Sequence, residues 1–117
     1  MKETQEFMMI FRYEPQADYQ PTQEELAAQG QAWGSFIGQI AISEKLVSTH
    51  QLGSEGTLLH PDHNTSPGIY KAEGQVIGGN MIVRADSLEE ATEMAKGCPI
   101  LNAGGTVEIR SINPMRS

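Results

Sequence analysis

The chain has one cysteine, Cys98, so it can close no internal disulfide and build no cysteine-based zinc site. Its eight Lys and Arg are scattered against fifteen Asp and Glu, leaving a formal charge of -7 and a pI near 4.8. Nucleic-acid binding, which needs clustered cations to displace phosphate counterions, is therefore excluded. No apolar run approaches the ~20 residues that cross a bilayer. The opening segment MKETQEF also lacks the hydrophobic stretch of a signal peptide, and the expected location is cytoplasmic. A GxGxxG following a strand, a P-loop and a serine elbow are all missing, so no motif implies a flavin, haem or metal. At 117 residues with 38% hydrophobic and 20% charged, the chain fits a single soluble domain over 1–117.

The most informative stretch runs from Gly74 to Pro99. Over Val76 to Ala85, Ile77, Met81, Val83 and Ala85 take one face at period two, with Val76 and Ile82 apolar on the other; such a strand needs cover on both sides. Gly78 and Gly79 strip side chains from its middle, which marks a bulge or a close approach of another backbone. Ser87 and Glu90 then have capping-box spacing, and Glu89 adds negative charge at the positive end of the helix dipole. Leu88, Ala91, Met94, Ala95 and Cys98 form an apolar stripe, which makes Cys98 a buried, inert thiol. Gly97 is placed to take a left-handed cap, and Pro99 ends the helix.

The chain before it follows the same logic. QEFMMIFRY, residues 5 to 13, alternates Phe7, Met9, Phe11 and Tyr13 with Met8, Ile10 and Arg12, as a central strand does. Arg12 is the exception on an apolar strand, either a stem buried with its guanidinium in solvent or an anion-binding group. Glu14 to Pro21, with two prolines and Asp18, reads as a turn-rich connection. Thr22 and Glu25 repeat the capping-box spacing and open a helix to about Ser43, with Leu26, Gly30, Trp33, Ile37, Ile40 and Ala41 on its stripe. Gly30, Gly34 and Gly38 recur every four residues and imply a face pressed close to the sheet.

Glu44 to Thr49 reads as a turn, His50 to Leu59 as a second strand interrupted by Gly53 and Gly56, and HPDHNTSP (60–67) as a loop. His60, Asp62 and His63 resemble metal ligands only superficially; on a loop without further Cys or His they read as solvated side chains. Gly68 to Glu73 is a short strand, Ile100 to Gly105 a loop, and Thr106 to Ile112 the last strand. In that strand Val107 and Ile109 face one way, Glu108 and Arg110 the other.

The sum is an α+β fold, a ferredoxin-like antiparallel sheet with both helices on one face. The other face would expose Met8, Ile10, Val76, Ile82 and Ile112, too apolar a patch for water, so a second copy is expected to cover it as a homodimer.

The glycine pair 78–79, ADSLEEATEMAKGCP at 85–99 and GGTVEIRSI at 104–112 closely resemble the YCII-related (DGPF-domain) family, and FMMIFRY and the Gly53 region agree. The resemblance implies a dimeric α+β barrel, a fold shared with muconolactone isomerase-like enzymes and small monooxygenases, with a pocket between sheet and helices. Some relatives on this fold use haem. Where the family writes Asp-Gly-Pro-Phe, this chain has Pro67, Gly68, Ile69 and Tyr70, so catalytic proposals resting on that acid do not carry over. The Lys-Glu of the family before the glycine pair is here Gly74 and Gln75.

Two functional readings follow. One is a small-molecule enzyme using acid/base chemistry, with His50, Tyr70 and Glu73 as catalytic candidates and Arg12, Glu108 and Arg110 holding the ligand. Against it stand plainer readings, His50 as a surface residue and Glu108 with Arg110 as a strand-face ion pair. The other is a ligand-binding or regulatory homodimer without turnover, in keeping with the missing acid and with relatives fused to sigma-factor and other regulatory proteins.

Overall fold

In the computed structural model, which describes residues 4–15 and 20–114, the strand Gln5–Tyr13 (β1) lies inside a four-stranded sheet. The elements after it are helix Gln23–Ile42 (α1), strand Leu46–Gln51 (β2), short strands Thr57–Leu59 (β3) and Thr65–Pro67 (β4), and strand Val76–Ala85 (β5). Helix Leu88–Ala95 (α2), a 3-10 turn at Pro99–Ala103 and strand Thr106–Ser111 (β6) complete the chain. The sheet order β2-β5-β1-β6, antiparallel throughout, is the ferredoxin-like arrangement. Among the described residues β3 and β4 pair only with each other. The turn expected at Asp18 lies outside the described residues.

One sheet face is filled. Phe7, Met9 and Phe11 of β1 and Met81, Val83 and Ala85 of β5 are buried against Phe36 and Ile40 of α1 and Ala91 and Ala95 of α2. Trp33 stands edge-on between Phe11 and Phe36, at centroid distances of 5.3 and 6.0 Å. Cys98 is buried in the same core, and burial pushes its thiol pKa up. Both helices thus lie on one face.

The caps explain where the helices begin. Thr22 Oγ1 accepts the Glu25 amide at 3.1 Å, and the Glu25 carboxylate returns to the Thr22 amide, completing the box. At α2, Ser87 Oγ accepts the Glu90 amide at 3.1 Å. The Glu90 carboxylate reaches the Asp86 amide instead, and Lys45 Nζ at 3.0 Å.

Several expectations need correction. The second strand is β2, starting at Leu46, because Ser43 already closes α1 and Glu44, at φ 62°, reverses the chain within one turn. Residues 57–59 and 65–67 form a separate hairpin, so part of the expected loop is strand. Residues 68–73 are not strand. Pro99–Ala103 winds into a 3-10 turn ended by Gly104 at φ 84°, and α2 stops on Lys96 in right-handed geometry without a left-handed Gly97. Finally, the α1 glycines do not press on the sheet: a Cβ at Gly30, Gly34 or Gly38 meets nothing within 4 Å, and Leu26 and Ala41 are exposed.

The glycine pair sets the phase of β5. Opposite the adjacent β1 residues Phe11 and Arg12 stand Gly79 and Ile77, leaving Gly78 as an extra residue, a bulge whose carbonyl accepts the Leu52 amide at 2.9 Å. Side-chain alternation slips by one at that point. Val76 therefore points to the helix side and is buried, while Ile77 points outward and is 40% exposed, the reverse of what simple alternation predicts. Val76 leaves the list of open-face residues and Ile77 joins it.

Candidate functional site

The helix-free face is read from the strand register, since antiparallel partners project to the same side. Glu108, Ile10, Asn80 and His50 form one row across β6, β1, β5 and β2. Arg110, Met8, Ile82 and Ser48 form the next, and Thr106, Arg12 and Ile77 lie on the other side of the first. Arg12 is thus a diagonal neighbour of Glu108, a spacing that long side chains bridge. Its Nη1 donates to Glu108 Oε1 at 2.6 Å, while Arg110 Nε stands 3.9 Å from Glu108 Oε2. Glu108 is shared between two arginines.

Over the Arg12 end of this face the chain makes a detour, from Leu52 after β2 to Gln75 before β5. The β3–β4 hairpin extends from it, anchored where the Gly68 amide donates to the Gly56 carbonyl. A two-residue turn brings the chain back: Glu73 and Gly74 have φ of 53° and 79°, and Ala72 and Gln75 exchange both backbone hydrogen bonds at 2.9 Å. That is the type I′ geometry, which suits glycine at its second position. Between detour and sheet lies a cleft of about 370 Å³ lined by Arg12, Leu52, Gly53, Glu55, Ile69, Tyr70, Ala72, Gln75 and Ile77. Its volume is at the small end of ligand sites, and its lining is apolar apart from Arg12, Glu55, Gln75 and the Tyr70 hydroxyl.

A YCII-related domain matches residues 6–116, nearly the full length. The chain belongs to the YCII-related family. No curated protein matches it. In this YCII-related chain the space between sheet and helices is taken up by the core just described, and the cleft holding Arg12 and Tyr70 opens on the opposite side of the sheet. A groove between α1 and α2, of about 410 Å³, contains none of the six candidate residues.

The structure brings Arg12, Glu108 and Arg110 into one ion-pair cluster and puts Tyr70 in the same cleft as Arg12. It does not bring the three catalytic candidates together. Among the described residues no hydrogen bond joins His50, Tyr70 and Glu73. His50 is exposed on the outer strand β2, opposite Asn80, and Glu73 is in the turn outside the cleft lining. In the hairpin, His60 Nε2 is 2.7 Å from Ser66 Oγ, and Asp62 accepts the Asn64 amide at 2.9 Å.

Sequence reasoning missed Glu55, Ile69, Gln75 and Ile77. Only the Gly53, Gly56 and Pro67-Gly68 punctuation hinted that this segment leaves the sheet and returns. It also missed Asn80, whose Oδ1 is buried with no hydrogen-bond partner among the described residues, in a row of otherwise apolar or exposed neighbours. A desolvated amide oxygen left alone costs about 1–3 kcal/mol. Among the described residues no helix is long and apolar enough to cross a membrane.

Proposed function

We propose that the protein is a homodimer that binds a small organic acid in the Arg12 cleft, as a ligand-binding module and not as an acid/base enzyme. The observation that carries the ligand reading is Arg12. It is the one cation among the cleft-lining residues, its guanidinium is held in place by Glu108, and it stands at the wall of an otherwise largely apolar recess. An arginine fixed in this way has donors left to receive a carboxylate. The acid/base reading is weaker because its three candidates do not meet.

Two observations support a second copy on the helix-free face. Met8, Ile10, Ile77, Ile82 and Ile112 are only half-buried or exposed there. The charge is also favourable: although the chain carries -7, this face has Arg12, Arg84 and Arg110 against Glu6 and Glu108, so two copies can approach without the repulsion that the whole molecules would exert. A partner could also supply the donor that Asn80 Oδ1 lacks.

Two measurements test this. Light scattering at micromolar protein should give twice the chain mass; single chains would remove the dimer. A thermal-shift screen of small carboxylic acids should raise the melting temperature of the wild type and not of Arg12→Met, because a ligand at a hundred times its Kd stabilises by about 2.7 kcal/mol. Equal shifts in both proteins would remove the role given to Arg12.

A further inference from the structure

The cleft contains two opposite charges that do not neutralise each other. Arg12 is paired with Glu108, but Glu108 also faces Arg110, so the cluster of two arginines and one glutamate keeps one positive charge. Glu55, also in the lining, has no ion pair among the described residues and is exposed. In the lining itself, Arg12 and Glu55 are the two charged residues and sum to zero. A ligand carrying only a carboxylate satisfies Arg12 but leaves Glu55 facing a like charge. One carrying only an amine puts a cation beside Arg12. An uncharged apolar ligand strips water from both groups and returns nothing. Only a molecule with both charges matches the site.

We infer that the ligand is a small zwitterion: a carboxylate received by Arg12, an ammonium received by Glu55, and an apolar body against Leu52, Ile69 and Ile77, with Tyr70 at the rim. The inference rests on the reading of the cleft as a binding site for a small acid, and narrows it to amino-acid-like molecules with an aliphatic or aromatic side chain. The cleft volume of about 370 Å³ has room for a molecule of this size.

The test is an NMR titration of the full chain with six probes. Leucine and phenylalanine carry both charges; 4-methylpentanoate and 3-phenylpropanoate lack the amine; 3-methylbutylamine and 2-phenylethylamine lack the carboxylate. A charged hydrogen bond accounts for about a tenfold or larger change in affinity, so each amino acid should bind at least about tenfold more tightly than its two fragments. In Glu55→Gln the advantage over the acids should vanish while the acids bind as before or better. Acids that bind the wild type as tightly as the amino acids, or an advantage unchanged in Glu55→Gln, would overturn the zwitterion and leave the acid-binding cleft standing. If no probe binds at millimolar concentration, or if binding is indifferent to Arg12→Met, both readings fall. Glu55 is exposed, so its variant has no packed neighbour to lose, and the comparison of probes on the wild type needs no variant at all.

Discussion

Replacing Gly79 by alanine tests the centre of the sheet most directly. A Cβ built there lies 2.5 Å from the backbone carbonyl oxygen of His50, closer than the 3.0 Å below which real Cβ atoms are essentially never found. The obstacle is main chain of the neighbouring strand β2, which is held to β5 by its ladder and by Thr49 Oγ1 donating to the Asn80 carbonyl at 3.1 Å. No side chain can swing aside, so β2 must move or unpair. Overpacking of a rigid site costs about 1–3 kcal/mol, and a backbone obstacle puts Gly79→Ala in the upper part of that range. With an unfolding entropy of about 2.1 cal/mol/K per residue, each kcal/mol is worth about 4 °C here, so the variant should melt about 8–12 °C below wild type. Gly34→Ala is the matched control: its Cβ meets nothing within 4 Å on an exposed turn of α1, and alanine should gain about 1 kcal/mol and about 4 °C. Gly78→Ala falls between, because its obstacle is the ring of Tyr13, which is 40% exposed and can rotate away. The assay is thermal unfolding by circular dichroism, with every variant and the wild type at the same protein concentration so that association does not enter the comparison. Gly79→Ala melting with wild type, or Gly34→Ala melting below it, would refute this account of how β2 and β5 pack.

Three further outcomes are expected. Val76→Lys should cost about 3 kcal/mol or more by burying an unpaired charge, whereas Ile77→Lys should leave the folded chain's helicity intact while weakening association and ligand binding; urea unfolding and light scattering separate the two, and equal damage to stability would deny the bulge. Thr22→Ala should lower the urea-derived stability by about 1 kcal/mol through loss of the α1 cap, an effect that Thr22→Ser should largely restore. Cys98 has a pKa raised by burial above its ordinary 9.0, so the folded state holds its proton more tightly than the unfolded one; stability is full below the unfolded pKa and falls as pH rises through the folded value. A stability profile from pH 7 upward should show that fall in wild type and lose it in Cys98→Ala, and an unchanged slope would remove the thiol from the account.

The regular elements were legible where local chemistry decides them. β1, β5 and β6 announce themselves by alternation, and both helices by a hydroxyl three residues ahead of a glutamate. The second strand is not where the sequence suggests because Leu46 and Val47 follow α1 with only Ser43, Glu44 and Lys45 between, too little turn chemistry to signal a reversal. Glu44 makes it alone, in a left-handed conformation that a glutamate rarely adopts. The exchanged faces of Val76 and Ile77 follow from pairing with β1, which no period in β5 can report. Arg12, Glu108 and Tyr70 were singled out by residue type, but their common neighbourhood depends on the detour from 52 to 75. That detour is held by single backbone hydrogen bonds and a two-residue turn, and its path is a tertiary fact. Glu55 sits in a stretch with no pattern, and nothing short of coordinates would have put it in the same cleft as Arg12.

The extra residue at Gly78 acts like an inserted letter in a reading frame. Everything on its N-terminal side, from Ile77 back through the turn at Glu73 and Gly74, is delivered half a period out of step with the rest of β5. Point substitutions can alter what the recess holds, but they cannot carry it to the opposite surface of the sheet. Only removing or adding one unit of chain at that spot would do so, and relatives that keep their recess elsewhere should differ here in length before they differ in composition.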